Sequence, residues 1–249
     1  HLTKDVELKD VTDDFCVFGV FGPKSRDLMK SISKDNYENG NFKFGTAKYI
    51  MIEGIKIWTQ RLSYVGELGY ELYVKSEDAK KIYELLVNKG KDFNLSNCGM
   101  HAMDIMRMES GFLHWGHDIS PEENQYQAGL SFTISSKKED EFIGKKALEK
   151  IKKEKIKSRF AMFTLKDSKP GEPLLLHDEP IYLENNIIGR STSGNYSFNF
   201  QKNLAFGYIN NDISNDELHK KNLFIEVEKK KYSIEIIHKP LKQTNFKNN

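Results

Sequence analysis

The texture of the chain changes near Arg159, and that change constrains the fold more than any other feature. Upstream of it, β-prone runs are interleaved with stretches of helical apolar periodicity. Downstream, short apolar runs follow one another between turn signals, with the spacing of a small antiparallel barrel. The pattern predicts an α+β chain: a mixed domain over residues 1–140, a helical connection over 141–157 and a barrel over 158–249.

Within the first domain, residues 15–21 read as a strand closed by Gly22-Pro23, and residues 25–32 as a helix with Leu28 and Met29 on one face. Residues 43–50 and 51–63 read as strands, with Glu53-Gly54 as the turn between them. Ile55, Ile57 and Thr59 alternate with Lys56, Trp58 and Gln60, so this sheet has two unlike faces. Residues 69–74 form a further strand. Ser76 is placed to cap the next helix, with Glu77 and Asp78 at its positive end and Gly90 at its stop. A helix follows over 99–110, on which Met100, Met103 and Met106 make a core stripe. Residues 141–157 form a lysine-rich amphipathic helix with Leu148 and Ile151 on its apolar side. Strands are then expected at 160–165, 174–176, 186–193 and 204–209, with 223–227 and 232–237 paired as a hairpin. The tail over 242–249 is polar and expected to fray.

Composition narrows the function. With 38% hydrophobic and 12% aromatic residues, the chain buries a sizeable core. No apolar run is long enough for a membrane-spanning helix, and the charged start is not that of a signal peptide. Thirty-eight basic against 36 acidic residues leave a net charge of +2, too little for a nucleic-acid footprint. Lys145-Lys146, Lys152-Lys153 and Lys229-Lys230-Lys231 are each interrupted by other residue types and read as solvated surface. Two cysteines, Cys16 and Cys98, are too few for a disulfide framework and fit a reducing, cytoplasmic setting. The first residue is His1, so the chain reads as processed or as part of something longer.

Three stretches are candidates for chemistry. In Arg61 through Val74, two glycines three apart make a turn feeding a strand. On that strand Glu71 and Tyr73 share one face, while Tyr70, Leu72 and Val74 share the other. A strand carboxylate beside aromatics suits a planar heterocycle, because it accepts parallel N–H bonds while a ring stacks nearby. Spacing alone favours the plainer alternative, a solvated strand glutamate. In Gly111 through Ile119, His114 and His117 stand three apart beside Asp118, but no further Cys or His cluster completes a metal site. A helix-terminating loop in which Trp115 packs or stacks is the better reading. Ile188 through Gly194 lacks the Gly-Lys of a phosphate loop and the Gly-x-Ser-x-Gly of a hydrolase elbow, and reads as strand and turn.

Taken together these stretches resemble the aminomethyltransferase (glycine-cleavage T-protein) family. The resemblance rests on Phe21 through Arg26, Tyr64 through Leu72, Met106 through Gly111 and Ala128 through Leu130. Within that family they are similar to the folate-binding C-terminal part of dimethylglycine and sarcosine dehydrogenases. The marks of that branch are Phe112 through Ser120, Gly189 through Tyr196, Gly171 through Pro173 and Leu204 through Tyr208. It covers residues 12–240, in order.

The resemblance implies a T-protein-like folate-binding domain followed by the barrel. It implies a transferase that uses tetrahydrofolate to accept a one-carbon unit from an N-methyl amine. Dimethylglycine, sarcosine or a related methylated amine is the implied donor, with a flavin dehydrogenase domain or chain as the implied partner. Glu71 would hold the pterin edge, Tyr64 would line the same pocket and Trp115 would contact the folate. The sequence departs from the family pattern in three places. Met103 stands where T-proteins usually carry an arginine. Asn124 through Gln127 replace Thr-Pro-x-Glu. No residue matches the family's catalytic aspartate, whose position precedes His1, and Asp13-Asp14 lie in a different segment. The flavin fingerprint Gly-x-Gly-x-x-Gly does not occur either. The expectation is the folate-domain portion of a longer N-demethylase, binding folate with little or no transfer by itself. The alternative is a non-catalytic folate-binding or scaffold relative of the same fold. Such relatives depend on a reactive cysteine in a glycine-rich motif, a setting that neither Cys16 nor Cys98 has.

Overall fold

The computed structural model describes residues 6–135, 138, 141–243 and 247. The expectations for His1, for the boundary at residue 140 and for residues 244–246, 248 and 249 lie outside them. The chain groups into two compact units, the first ending at Gly99 and the second spanning Met100–Gln243.

The first unit carries β1 (Phe15–Phe21), α1 (Ser25–Ile32), β2 (Ala47–Ile52), β3 (Ile55–Gln60), β4 (Gly69–Lys75) and α2 (Ala79–Gly90). The strands form one antiparallel sheet in the order β1-β4-β3-β2. Ile57, Tyr70, Leu72 and Val74 point to one face, where Leu28 and Met29 of α1 and Ile82 and Leu86 of α2 close over them. Burial of each such side chain stabilises the unit by about 1.5–3 kcal/mol. Glu53 and Gly54 make the expected turn between β2 and β3, both in the left-handed region, as a tight two-residue hairpin requires.

Three local expectations are corrected here. β2 starts at Ala47 rather than at 43, because Thr46 N–H bonds back to Lys43 O (3.2 Å) in a turn that Gly45 enters with φ +76°. Ser76 does not cap α2; its hydroxyl donates to Asp13 O (2.7 Å), and a single 3-10 turn precedes the helix. Gly90 has right-handed helical backbone, φ −62°. Its missing side chain makes room for Leu95, whose Cδ2 would lie 2.4 Å from a Cβ there. Asn94 takes the left-handed position instead.

The second unit carries α3 (Met100–Glu109), α4 (Lys145–Lys153), β5 (Ser158–Leu165), β6 (Pro180–Leu183), β7 (Asn186–Ser197), β8 (Lys202–Asn210), α5 (Asn215–Lys220), β9 (Leu223–Val227) and β10 (Lys230–Ile237). The six strands close into an antiparallel barrel in the order β10-β5-β8-β7-β6-β9, filled by Phe163, Leu165, Ile181, Ala205, Ile225 and Ile234 among others. Residues 174–176 form no strand: Leu174 and Leu176 are exposed and only Leu175 turns inward, against Gly194. The strand that completes the barrel is β6. The methionine stripe also fails. Met100 is 68% exposed, and the face α3 buries carries Ile105 and Met108 with Arg107 and Glu109. The connecting helix spans only residues 145–153, with Leu148 and Ile151 half-buried.

Candidate functional site

In the first unit, strand register assembles the site. β4 runs between β1 and β3, so Glu71 stands opposite Gly19 on one side and Gln60 on the other. Glu71 and Tyr73 do share the face opposite to Tyr70, Leu72 and Val74, which are fully buried. Glu71 is half-buried, and Tyr73 Oη donates to its Oε2 at 3.2 Å. Partial burial, the Glu71 charge and that hydrogen bond together push the Tyr73 hydroxyl above its ordinary pKa, so it stays a donor. The next row of the same face is Val17, Tyr73, Trp58 and Tyr49, one residue from each strand. Tyr49 and Trp58 meet edge to face at 4.9 Å, and both retain exposure. Glu71 therefore rises from a sheet face that carries Phe21, Tyr73, Trp58 and Tyr49 together with Gln60 and Lys56.

Tyr64 is half-buried in the loop joining β3 to β4. That loop is held at both ends. Arg61, 1% exposed, donates from Nη1 to Phe42 O at 2.6 Å. Leu68 O accepts from Gly22 N (2.8 Å) and from Ser25 Oγ (3.0 Å). This one carbonyl ties the start of α1 to the start of β4, so the two sequence stretches around Pro23 and Glu71 share a structural anchor. Of the two glycines three apart, Gly66 makes the turn with φ +68°, whereas Gly69 belongs to β4. A cavity of about 390 Å³ opens beside α1, lined by Phe21, Pro23, Leu28, Phe93, Leu95 and Cys98 among others.

Trp115 belongs to the second unit, where it is 67% exposed on the loop after α3. A buried charge pair shapes that loop. Arg107 Nη1 donates to Asp118 Oδ2, and the two residues are 1% and 0% exposed. Arg107 also reaches Asp104 Oδ1 (2.8 Å), Phe112 O (3.1 Å) and Ser193 Oγ (2.7 Å). Asp118 further accepts from His114 N (2.9 Å), Thr192 Oγ1 (2.5 Å) and Ser193 Oγ (2.8 Å). Consecutive residues of a regular strand point to opposite faces. Here the register of β7 against β8 shifts between Ser191 and Ser193, and that bulge turns both hydroxyls toward one carboxylate. Asp118 is thus committed inward, meeting His114 through its backbone N–H, while the rings of His114 and His117 lie 4.6 Å apart. Burial first, then the neighbouring His117 and Arg107, lower the His114 pKa. Among the described residues no group of three or more His, Cys, Asp or Glu could hold a metal ion.

The stretches around Asp118 and Ser193 are both legible as motifs, but nothing in their local spacing joins residues 75 positions apart. Tyr73 is predicted on the Glu71 face; its hydrogen bond is not. No helix of the described residues is long and apolar enough to cross a membrane.

Comparison with known proteins divides the chain later than the two compact units do, between residues 138 and 159. The family model described as the GCVT N-terminal domain matches residues 1–138, and that of the glycine cleavage T-protein C-terminal barrel domain matches residues 159–242. The chain is 34% identical over 238 residues to mitochondrial dimethylglycine dehydrogenase of Homo sapiens, covering 95% of this chain and 27% of that protein. It is 32% identical over 209 residues to an aminomethyltransferase of Halothermothrix orenii, covering 83% of this chain and 56% of that protein. The crystal structure of glycine cleavage system aminomethyltransferase T from Bartonella henselae shares the fold. Its TM-score is 0.72 at 22% identity, over 88% of this chain and 57% of that one. The chain thus spans about a quarter of the dehydrogenase and little more than half of the aminomethyltransferases. On these matches, the chain belongs to the aminomethyltransferase (glycine cleavage T-protein) family, and it resembles dimethylglycine and sarcosine dehydrogenases along 95% and 82% of its length.

Proposed function

We propose that this chain binds the pterin ring of tetrahydrofolate through Glu71 and serves as the acceptor side of one-carbon transfer from a methylated amine. The observation that carries the reading is Glu71 itself. It is a half-buried carboxylate fixed on an interior strand between Gly19 and Gln60, with one oxygen held by Tyr73 and with Phe21 and Trp58 at diagonal positions. A pterin edge presents adjacent N–H donors that a single carboxylate accepts in parallel, and its flat faces need apolar walls. The residues present fit that ring, and a glutamate on a strand is a more rigid anchor than one on a loop.

Bound tetrahydrofolate supplies the amines that take up the one-carbon unit. The chain's own part is to grip the ring edge with Glu71, to keep that carboxylate oriented with Tyr73 and to wall the ring with Tyr64. Trp115 contacts the folate in this reading. Dimethylglycine, sarcosine or a related amine is the donor, delivered by a flavin dehydrogenase domain or chain. By function the domains divide as 1–140 on the folate side and 158–249 as the barrel, joined by 141–157.

Calorimetric titration of tetrahydrofolate into the chain and into Glu71→Ala tests the reading. Removing one side of a charge-assisted pair costs about 2–5 kcal/mol, so the variant should bind below detection. Equal affinity for both proteins refutes the assignment.

A further inference from the structure

We propose that Phe21 is the floor on which a planar heteroaromatic ring lies while Glu71 holds its edge. The proposal rests on the pterin reading above and deepens it: Phe21 becomes the residue that selects a flat ring at this carboxylate over an aliphatic ligand.

Strand register puts the parts together. Phe21 stands opposite Gly69 and Gly19 stands opposite Glu71, so all four positions share one face of the sheet, with Phe21 diagonal to Glu71. Diagonal neighbours on a sheet lie about 7 Å apart, within reach of aromatic and long side chains. The two glycines then fix how the ring lies. A Cβ at Gly19 would fall 2.4 Å from Phe21 Cε2, and one at Gly69 would fall 2.1 Å from Phe21 Cδ1. Those atoms are on opposite edges of the ring. The ring therefore spans both glycine positions and lies down against the backbone instead of standing off the sheet.

Backbone conformation gives neither position a reason to be glycine, although at Gly69 the Leu62 carbonyl oxygen would also lie 3.0 Å from a Cβ. Neither Gly19 nor Gly69 has a positive φ, unlike Gly22 and Gly66 nearby. Glycine inside a strand weakens it and marks a place where something approaches closely. Here the thing that approaches is the Phe21 ring, and two adjacent strands give up side chains to let it lie flat. Nor is Phe21 core filling. It is only partly buried, and the apolar core lies on the other face with Val20, Tyr70 and Leu72. One side of the ring rests on the sheet, and the other side is the proposed platform.

Strand side chains stand roughly perpendicular to their sheet. Glu71, diagonal to Phe21 on the same face, then stands beside the edge of a ring stacked on Phe21. Tyr73, two residues along, holds the carboxylate on its far oxygen. A flat floor with an acceptor at its edge takes a planar heterocycle whose rim carries N–H or NH2 donors. An aliphatic amine uses the acceptor and gains nothing from the floor.

Anaerobic calorimetric titration of the chain with tetrahydrofolate tests this, with Phe21→Leu, Phe21→Tyr and Gly19→Ala beside it. A melting curve for each variant reports its folding. Offset stacking of two rings accounts for up to about tenfold in affinity. Phe21→Leu should lose about that factor while Phe21→Tyr stays within about twofold of the parent. Gly19→Ala keeps the phenylalanine but lifts its ring, and should weaken binding in the same direction. The loss should be as large for 6-methyltetrahydropterin, which has the ring and no tail. Undiminished binding by folded Phe21→Leu, or a loss that disappears with the tail-less ring, overturns the platform and leaves the Glu71 reading standing. Absence of binding by the parent chain overturns the folate reading and the platform with it.

Discussion

Replacing Asp118 by alanine should loosen the second unit strongly. The carboxylate is fully buried and accepts four hydrogen bonds, from Arg107 Nη1, His114 N, Thr192 Oγ1 and Ser193 Oγ. Its removal leaves the Arg107 guanidinium, 1% exposed, with Asp104 as the remaining carboxylate among its partners. Breaking a buried pair by removing one member costs about 3–5 kcal/mol, because the surviving charge loses its buried counter-ion. At about 2–4 °C per kcal/mol for a protein of this size, Tm should fall by about 6–20 °C. The chain has two tryptophans, Trp58 in the first unit and Trp115 in the second. In a Trp58→Phe background, Trp115 fluorescence therefore follows the unit that holds the pair. The double variant Arg107→Met/Asp118→Leu should recover most of the loss, since apolar side chains of similar volume avoid the desolvation penalty. A single-variant shift below about 3 °C, or a double variant no better than the single, would refute the view that this pair is desolvated and organises the loop.

Other outcomes follow from the same structure. His114 has a folded pKa below its unfolded one, so the unfolded chain binds more protons between the two values. Its stabilising effect is complete above about pH 6.5 and is lost as pH falls through that value toward the folded pKa. Melting curves from pH 8 to 5 should show that loss, and His114→Gln should flatten it; an unchanged slope rejects the mechanism. In the barrel, a Cβ at Gly189 would fall 1.9 Å from Tyr208 O on the paired strand, so Gly189→Ala must push β7 from β8. The urea midpoint should drop by an amount equal to about 1–3 kcal/mol or more. Glu109, 1% exposed, accepts from Ser197 Oγ at 2.6 Å and from Asn199 Nδ2. Glu109→Ala should therefore cost about 2 kcal/mol by the same urea assay.

Much of this molecule is decided by near neighbours. The alternation at Ile55–Gln60 and through residues 69–74 is set by the two-residue period of a strand, so the face on which Glu71 stands is readable before any fold is known. The Glu53-Gly54 hairpin is equally local, because two left-handed residues in sequence admit few chain paths. The change of texture near Arg159 foretells the barrel, since strands too short to bury themselves singly must close on one another. Local reading fails where a residue's reason lies far along the chain. Ser76 has the chemistry of a cap, yet its hydroxyl finds a carbonyl 63 residues away. The α3 methionines have helical spacing, but the barrel strands meet a different face of that helix, through Arg107 and Glu109. The same holds at the candidate site. Glu71 and its face belong to the sequence; the flat ring of Phe21, the glycines beneath it and the tie from Leu68 to Ser25 exist only once β1 pairs with β4. A strand's period dictates which way each side chain points, but only the pairing of distant strands dictates what it meets there.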